Sequence, residues 1–319
     1  MDQTLFEKYT KTYGKRFTRR QKHAFEKALN EDMLKAGYEN TRIEGKHMVF
    51  FKAEDFFFGN MKRMKTVIVV PYDTPERKFW PNVLYYPLHG QKSTNKNLIA
   101  TYVPLLVLYV LVIATIFVGG KYLEGSVIQI FASLSMFVLI TLLLYLLLHG
   151  AANKHNVNRN SSAVVAAITL AQSLDKEERN RIAFLFTDKN KTSYLGARFA
   201  DEEFARQGKN PNVICLDCIG KGDMTRIGYN PQNRRLAMDV EKHYRGVKHS
   251  IDSIKMDEAM RVQTPMSYFR KAITICSGEL DEEGRLVVKN TMTSKDKTCD
   301  QAHLDMMLQM LGSYIRLEK

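Results

Sequence analysis

Two long uncharged segments limit the architectures open to this chain more than any other feature of its sequence. They cover residues 97–120 and 125–150, and neither contains Asp, Glu, Lys or Arg. As a helix, each would be roughly 36 Å long, which exceeds the hydrocarbon thickness of a bilayer. Helices of soluble proteins rarely reach this length without a charge on any face. We therefore predict a transmembrane helical hairpin, with spans at about residues 98–118 and 127–148.

The basic residues around these segments predict their orientation. Lysine and arginine flank the hairpin on both outer sides, at Arg77, Lys78, Lys92, Lys96, Lys154 and Arg159. The turn between the spans carries Lys121, which Glu124 offsets. Because positively charged loops stay on the cytoplasmic side, we expect a multi-pass protein of the cell membrane with cytoplasmic N- and C-terminal parts. The N-terminal sequence has no apolar stretch typical of a signal peptide, which agrees with this topology.

The composition excludes several classes of protein. The chain has 319 residues, 45% of them hydrophobic and 25% charged, which is typical neither of a disordered protein nor of a polytopic transporter. Its four cysteines have no regular spacing and suit a reducing compartment better than a disulfide scaffold. No nucleic-acid module or nucleotide-binding motif accompanies the net charge of +13. We therefore expect the lipid bilayer, and not nucleic acid, to be the partner of the basic residues.

The remaining sequence alternates between apolar strands and helices. Strands are predicted at residues 47–51, 66–73, 181–188, 212–220 and 272–278. Helices are predicted at about residues 17–37, 161–174, 193–208, 233–245 and 300–316. Continuous apolar strands that alternate with helices are typical of an α/β domain with a largely parallel sheet. We therefore divide the chain into one cytosolic α/β domain, formed by residues 1–96 and 151–319, and the hairpin at residues 97–150.

Short motifs follow one another along the soluble sequence in a recognisable order. They are GKRF at residues 14–17, LKAGY at 34–38, PYD at 71–73, NRNSSA at 158–163, NK at 190–191, YLGA at 194–197, LDCIG at 216–220 and MTSKD at 292–296. In this order they resemble the motifs of the dizinc aminopeptidase family, which includes glutaminyl cyclase-like members. The resemblance implies a three-layer α/β domain with a largely parallel central sheet, into which the transmembrane hairpin is inserted.

Most metal ligands of that family are missing at the matching positions. The family binds two zinc ions through His, Asp and Glu side chains, and a Glu acts as general base. Pro71 matches the first His, Arg159 the bridging Asp and Asn190 the general base. Lys191 matches the second-metal Glu, and Met292 matches the last His. Asp217 is the one ligand retained, and Asp73 matches the Asp that orients the missing first His.

We therefore expect no zinc, no other cofactor and no catalytic residue at this site. The residues at the matching positions would instead line a vestigial pocket made of Asp73, Arg159, Asn190, Lys191, Asp217 and Met292. Buried carboxylates without partners are costly, so we predict that Arg159 and Lys191 replace the metal charge and pair with the remaining aspartates.

Other groupings of metal-binding or redox-active residues are explained more simply. Cys215 and Cys218 form a C-x-x-C pattern inside a predicted strand, where they would face opposite sides, so we interpret them as core residues. His155 follows the second span and is expected to be a polar residue at the membrane interface. Cys299 and His303 lie one turn apart on a predicted helix, and one such pair does not specify a metal site.

These features favour a membrane-anchored, catalytically inactive relative of the aminopeptidases. Such a protein would act as a binding or scaffold module that recognises a peptide, a membrane-protein partner or a lipid headgroup. Two alternatives stay open: a metal-dependent peptidase or amide hydrolase with a rebuilt active site, and a structural subunit of a membrane complex. Metal-dependent turnover that Asp217→Ala abolishes would identify the first alternative.

Overall fold

The computed structural model of the chain describes residues 2–47, 51–78, 82–122, 127–190, 193–246, 249–261 and 264–317. Its strands are β1 (Asn40–His47), β2 (Phe51–Phe58), β3 (Thr66–Pro71), β4 (Leu84–Tyr85), β5 (Ile182–Thr187), β6 (Asn212–Asp217), β7 (Met224–Tyr229), β8 (Ser250–Lys255), β9 (Ala272–Leu280) and β10 (Leu286–Lys289). Its α-helices are α1 (Gln3–Glu7), α2 (Arg19–Lys35), α3 (Gly90–Tyr122), α4 (Val127–His149), α5 (Ser162–Ser173), α6 (Lys176–Arg181), α7 (Leu195–Arg206), α8 (Arg234–Glu241), α9 (Glu258–Arg261) and α10 (Gln301–Leu317).

The strands form one mixed sheet with a parallel centre. Its order is β1-β2-β5-β3-β6-β9-β10-β4, and β7 pairs with both β9 and β8. β5, β3, β6 and β9 run parallel to one another, whereas the pairs β1–β2, β2–β5 and β9–β10 are antiparallel. The C-terminal ends of the central strands therefore share one edge of the sheet, which is where parallel sheets place their ligand sites.

Alternation along the central strands produces an apolar layer on each face of the sheet. In β3, Ile68 and Val70 pack with side chains of α2, α5, α8 and α10. Val67 and Val69 face the other way and pack with α7. Because each strand is covered on both faces, its sequence reads as a continuous apolar run. The predicted three-layer α/β architecture with a largely parallel central sheet is confirmed in this respect.

The predicted strand at residues 212–220 is too long. β6 ends at Asp217, and Cys218 follows it with a left-handed backbone, at φ +55°. The prediction that Cys215 and Cys218 face opposite sides of one strand was therefore wrong, although both residues are buried. The short strand predicted at residues 47–51 falls between β1 and β2, where residues 48–50 lie outside the described residues.

Two long helices separate β4 from α5. α3 and α4 contact each other, and the base of α3 contacts β4 and α9. In the residues that the structure describes, one segment, Gly90–Thr115, is long and apolar enough to cross a membrane, and the apolar stretch of α4 is shorter, at Ser133–Leu146. α3 begins at Gly90, before the first uncharged segment, because the polar residues 90–96 are also helical. That both helices cross a membrane stays a prediction.

The chain enters and leaves this pair of helices at the same place. Glu76 and Ala152 form an antiparallel bridge. The backbone N–H of Arg77 donates to the carbonyl oxygen of Ala151 at 2.7 Å. The insertion is thus closed at its base, which lets the α/β domain keep its path across the interruption.

Candidate functional site

A cavity of about 240 Å³ lies at the C-terminal edge of the central strands. Pro71, at the end of β3, and Asp217, at the end of β6, line its sheet side. The first turns of α3 form another wall through Ser93, Asn97 and Thr101. The cavity therefore lies where the edge of the sheet meets the base of the long apolar helix.

The structure brings most of the predicted pocket residues together. The members that line this one cavity are Asp73, Arg159, Asn190, Asp217 and Met292. Lys191 lies outside the described residues, so its predicted pairing with an aspartate stays a prediction. These residues come from widely separated parts of the sequence, and they meet because each follows a central strand or lies in a loop against that edge.

Both carboxylate oxygens of Asp217 accept hydrogen bonds from neighbouring side chains. Asp217 ends β6 and is buried. Its Oδ2 accepts a hydrogen bond from the hydroxyl of Tyr85 at 2.5 Å, and its Oδ1 accepts one from the thiol of Cys218 at 3.3 Å. Charged acceptors form stronger hydrogen bonds than neutral ones, so these contacts fix the carboxylate in place.

Arg159 is held in the cavity by stacking on an aromatic ring. Its Cζ lies 3.8 Å from the centroid of the Tyr85 ring, which is a close cation–π contact. In the described part of the chain no ion pair joins Arg159 to Asp217; Tyr85 contacts both groups and replaces the predicted direct pair. Burial alone would lower the pKa of the guanidinium, but the neighbouring Tyr85 and Asp217 raise it overall, so Arg159 stays charged.

The distorted turn Val157–Ser161 positions Arg159. Asp296, which is buried, accepts hydrogen bonds from the backbone N–H groups of Asn158 at 2.8 Å and Arg159 at 3.2 Å. Burial raises the pKa of Asp296 to about 7, although these two bonds favour the charged carboxylate. On the other side, Asn160 has a left-handed backbone at φ +81° and donates from its amide to the carbonyl oxygen of Asp73. The turn is therefore held at both ends.

Asp73 is bound by Asn190, the residue that the motif order predicts at the general-base position. The backbone N–H of Asn190 donates to Asp73 Oδ2 at 3.2 Å, and its side-chain Nδ2 donates to Asp73 Oδ1 at 2.5 Å. Thr187 fixes the same amide, since its carbonyl oxygen accepts from Nδ2 at 2.9 Å. Burial, and then the nearby Asp188, raise the pKa of Asp73. An asparagine amide cannot take up a proton as a glutamate can, so Asn190 cannot act as general base.

The residues at this edge do not fit a pair of zinc ions. Zinc takes three or four ligands from deprotonated Cys, neutral His and carboxylates. Pro71 and Met292 offer no such group, and Arg159 adds positive charge. In the ranges that the structure describes, no three His, Cys, Asp or Glu residues are arranged to hold a metal ion. We therefore derive no metal-dependent step at this site.

Unusual backbone conformations surround the cavity. Five non-glycine residues near it have φ between 49° and 81°: Asn160, Lys189, Ser193, Tyr194 and Cys218. Such conformations are uncommon and persist where the surrounding structure enforces them. The shape of this edge is therefore specified by the fold and is not the result of a loosely packed loop.

The predicted candidates outside the pocket do not form a second site. Cys299 donates from its thiol to the carbonyl oxygen of Gly220 at 3.0 Å. His303 is fully buried, and its Nε2 lies 2.8 Å from the hydroxyl of Ser277. The two side chains thus have separate partners. His155 is half-buried in the loop after α4.

Sequence reasoning did not place Tyr85 in the pocket, although it contacts both Arg159 and Asp217. Its place is set by β4, which pairs with β10 through Tyr85 and Val288. A strand of two residues has no periodicity to detect, and its partner lies far along the chain. Tyr194, by contrast, carried a signal, because it opens the YLGA motif.

Comparison with known proteins identifies the fold. No protein-family model and no curated protein matches the sequence. Among solved structures, the glutaminyl cyclase of Porphyromonas gingivalis matches with a TM-score of 0.61 and 12% identity, over 99% of this chain and 96% of that one. A Zn-dependent exopeptidase from Parabacteroides distasonis matches with a TM-score of 0.59 and 13% identity, over 99% and 98%. A leucine aminopeptidase precursor from Bacteroides thetaiotaomicron gives 0.57 and 13%, over 100% and 98%. The chain therefore has the aminopeptidase-like fold that exopeptidases and glutaminyl cyclases share, as its motifs predicted.

Proposed function

We propose that this protein is a membrane-anchored binding module that uses the peptidase fold without peptidase activity. The observation that carries the proposal is Arg159. By its motif Arg159 matches the bridging ligand and Asp217 a retained ligand, and in the structure Arg159 stacks on Tyr85, which donates a hydrogen bond to Asp217. A cation fixed there opposes metal binding, while the cavity itself is retained.

The hydrogen bonds around the two aspartates support the absence of hydrolysis. Peptide hydrolysis in this fold needs an activated water and a group that takes its proton. Asp217 is engaged by Tyr85, and Asp73 is engaged by Asn190. Neither carboxylate is therefore free to take the proton of a water molecule, as the general base of a metal-bound site does.

The exposed apolar surface of α3 supports the membrane anchor. Only 11% of its most apolar stretch is buried, whereas a core helix of a soluble protein is mostly buried. Leu106 and Leu111 are 62% and 58% exposed. An apolar surface of this size is unfavourable in water and suits a bilayer. We propose that α3 and α4 together form the membrane hairpin, with residues 1–96 and 151–319 on the cytoplasmic side.

The test is a metal and activity assay on the protein purified in detergent. We expect no stoichiometric zinc after dialysis. We also expect no cleavage of aminoacyl chromogenic substrates above that of Asp217→Ala, with or without added Zn²⁺. Metal-dependent turnover that Asp217→Ala abolishes would instead establish a hydrolase with a rebuilt site.

A further inference from the structure

We propose that the cavity binds the phosphate head of an anionic lipid, whose apolar part leaves the cavity along α3. This inference deepens the proposed function, on which it rests, by naming the ligand of the same site. It depends on three features: unused donors on Arg159, partners on the cavity's carboxylates, and an apolar rim.

Arg159 presents hydrogen-bond donors that the protein does not use. In the residues that the structure describes, its guanidinium makes no hydrogen bond to the protein and is held by stacking on Tyr85. A guanidinium has five N–H donors in a planar fork that fits a phosphate or carboxylate with two parallel bonds. Stacking occupies the face of this plane and leaves the edge with the donors available.

The acidic groups of the cavity are already occupied. Each of the carboxylates that line it contacts a donor within the protein: Asp217 with Tyr85, Asp73 with Asn190, and Glu76 with Lys78. Lys78 offsets the charge of Glu76, and neutral donors already bind oxygens of Asp217 and Asp73. The guanidinium of Arg159 is the cation whose N–H donors still lack an acceptor in the described residues, so an anion that enters the cavity can bind there.

The rim of the cavity is apolar on the side of α3. Leu98 and Tyr102 line the cavity and are nevertheless 47% and 52% exposed. From these residues the apolar surface of α3 continues to Thr115. A free phosphate gains nothing from such a surface, whereas the acyl chains of a lipid bury against it.

The size of the cavity fits a head group better than a complete lipid. Its volume of about 240 Å³ lies below the range of roughly 300–1,000 Å³ that encloses most of a drug-sized ligand. A phosphate head fits inside it, and the chains would stay outside, along α3. Because the base of α3 is part of the wall, the head would be reached from the membrane side.

The experiment titrates detergent-purified protein with three probes: dioctanoyl phosphatidic acid, dioctanoyl phosphatidylcholine and inorganic phosphate. Binding is measured by thermophoresis and by native mass spectrometry. We expect phosphatidic acid to bind roughly tenfold more tightly than phosphatidylcholine, and Arg159→Gln to remove this difference. Lys154→Gln is the matched control, since it removes an exposed cation from the same segment after α4 and should keep the difference.

Two further variants separate binding from folding. Arg159→Lys keeps the charge but loses the planar fork, so it should lose most of the head-group selectivity. Leu98→Gln alters only the rim and should weaken both lipids equally. Each variant is used after gel filtration and thermal unfolding show a folded protein.

Three outcomes would overturn the inference. Inorganic phosphate that binds as tightly as phosphatidic acid would make the site a phosphate site without a lipid. Equal binding of the two lipids, or unchanged selectivity in Arg159→Gln, would remove the head-group assignment. If selectivity is absent and the activity assay is also negative, the binding-module proposal survives and this inference fails; metal-dependent turnover would overturn the proposed function itself.

Discussion

His303 is fully buried near the start of α10, away from the cavity. Its Nε2 contacts Ser277, while its Nδ1 has no hydrogen-bond partner in the described residues. The ring of His249 packs against it with centroids 4.8 Å apart. Burial, and then this second histidine, lower the pKa of His303 to about 4. The imidazole is therefore neutral in the folded protein at physiological pH.

This environment predicts that His303 lowers the stability of the fold in acid. Between pH 6.5 and 4 the unfolded chain binds a proton at this position and the folded chain does not, so stability falls as the pH falls. From pH 6.5 to pH 4 we expect wild type to lose about 3 kcal/mol of unfolding free energy relative to His303→Gln. Denaturant titrations at several pH values measure it, and a constant difference would contradict the prediction.

The residues of the cavity were largely predictable, and their contacts were not. The order of the motifs identified Pro71, Arg159, Asn190 and Met292, because motif order follows strand order and strand ends meet at one edge. That Arg159 stacks on Tyr85 and does not pair directly with Asp217 depends on a residue 132 positions before Asp217. Local sequence contains no information about such a contact.

Among the structural elements, the central strands were predictable and the antiparallel edge was missed. β3 and β5 are continuous apolar runs covered on both faces. β1 and β2 alternate charged side chains along one face, where Lys52 pairs with both Glu44 and Glu54. In β1 the opposite face holds Thr41 and Gly45 beside Ile43, so the apolar half of the alternation that identifies a strand is weak. The pairing is visible only when the two strands are placed side by side.

Arg16 joins three elements at the centre of the domain. It is fully buried and donates to the carbonyl oxygen of Tyr72 at the end of β3, at 2.5 Å, and to that of Tyr13 before α2, at 2.8 Å. It also donates to the hydroxyl of Ser161, just before α5, at 3.0 Å. Burial lowers the pKa of Arg16 to about 10, which still leaves it charged at neutral pH. The GKRF motif therefore has a structural role, because it supplies the buried arginine that joins these elements.

We expect Arg16→Met to destabilise the protein by about 3–5 kcal/mol, because several buried acceptors lose their donor at once. Thermal unfolding of the purified protein in detergent measures the effect. Lys15→Met is the matched control, since Lys15 is its exposed neighbour, and it should change the midpoint little. Equal effects of the two substitutions would show that Arg16 does not join these elements.

For the whole molecule, the proposed topology is tested by cysteine labelling in intact cells. Cys215, Cys218 and Cys276 are buried, so a Cys299→Ser background should label weakly. In that background Tyr122→Cys, at the end of α3, should react with a membrane-impermeant maleimide from outside. Lys154→Cys, after α4, should react only after lysis. The reverse pattern would invert the orientation.

The closed base of the α3–α4 insertion also sets an order of events during synthesis. β3 lies between β5 and β6 in the sheet, and both of these partners follow α4 in the chain. β2 has one neighbour, β1, that precedes the helices, and its other neighbour is β5. The part of the chain made first can therefore pair only β1 with β2, and the sheet closes only after both apolar helices and then β5 and β6 have left the ribosome. Any delay in placing those helices would prolong the lifetime of a half-built domain with unpaired strands.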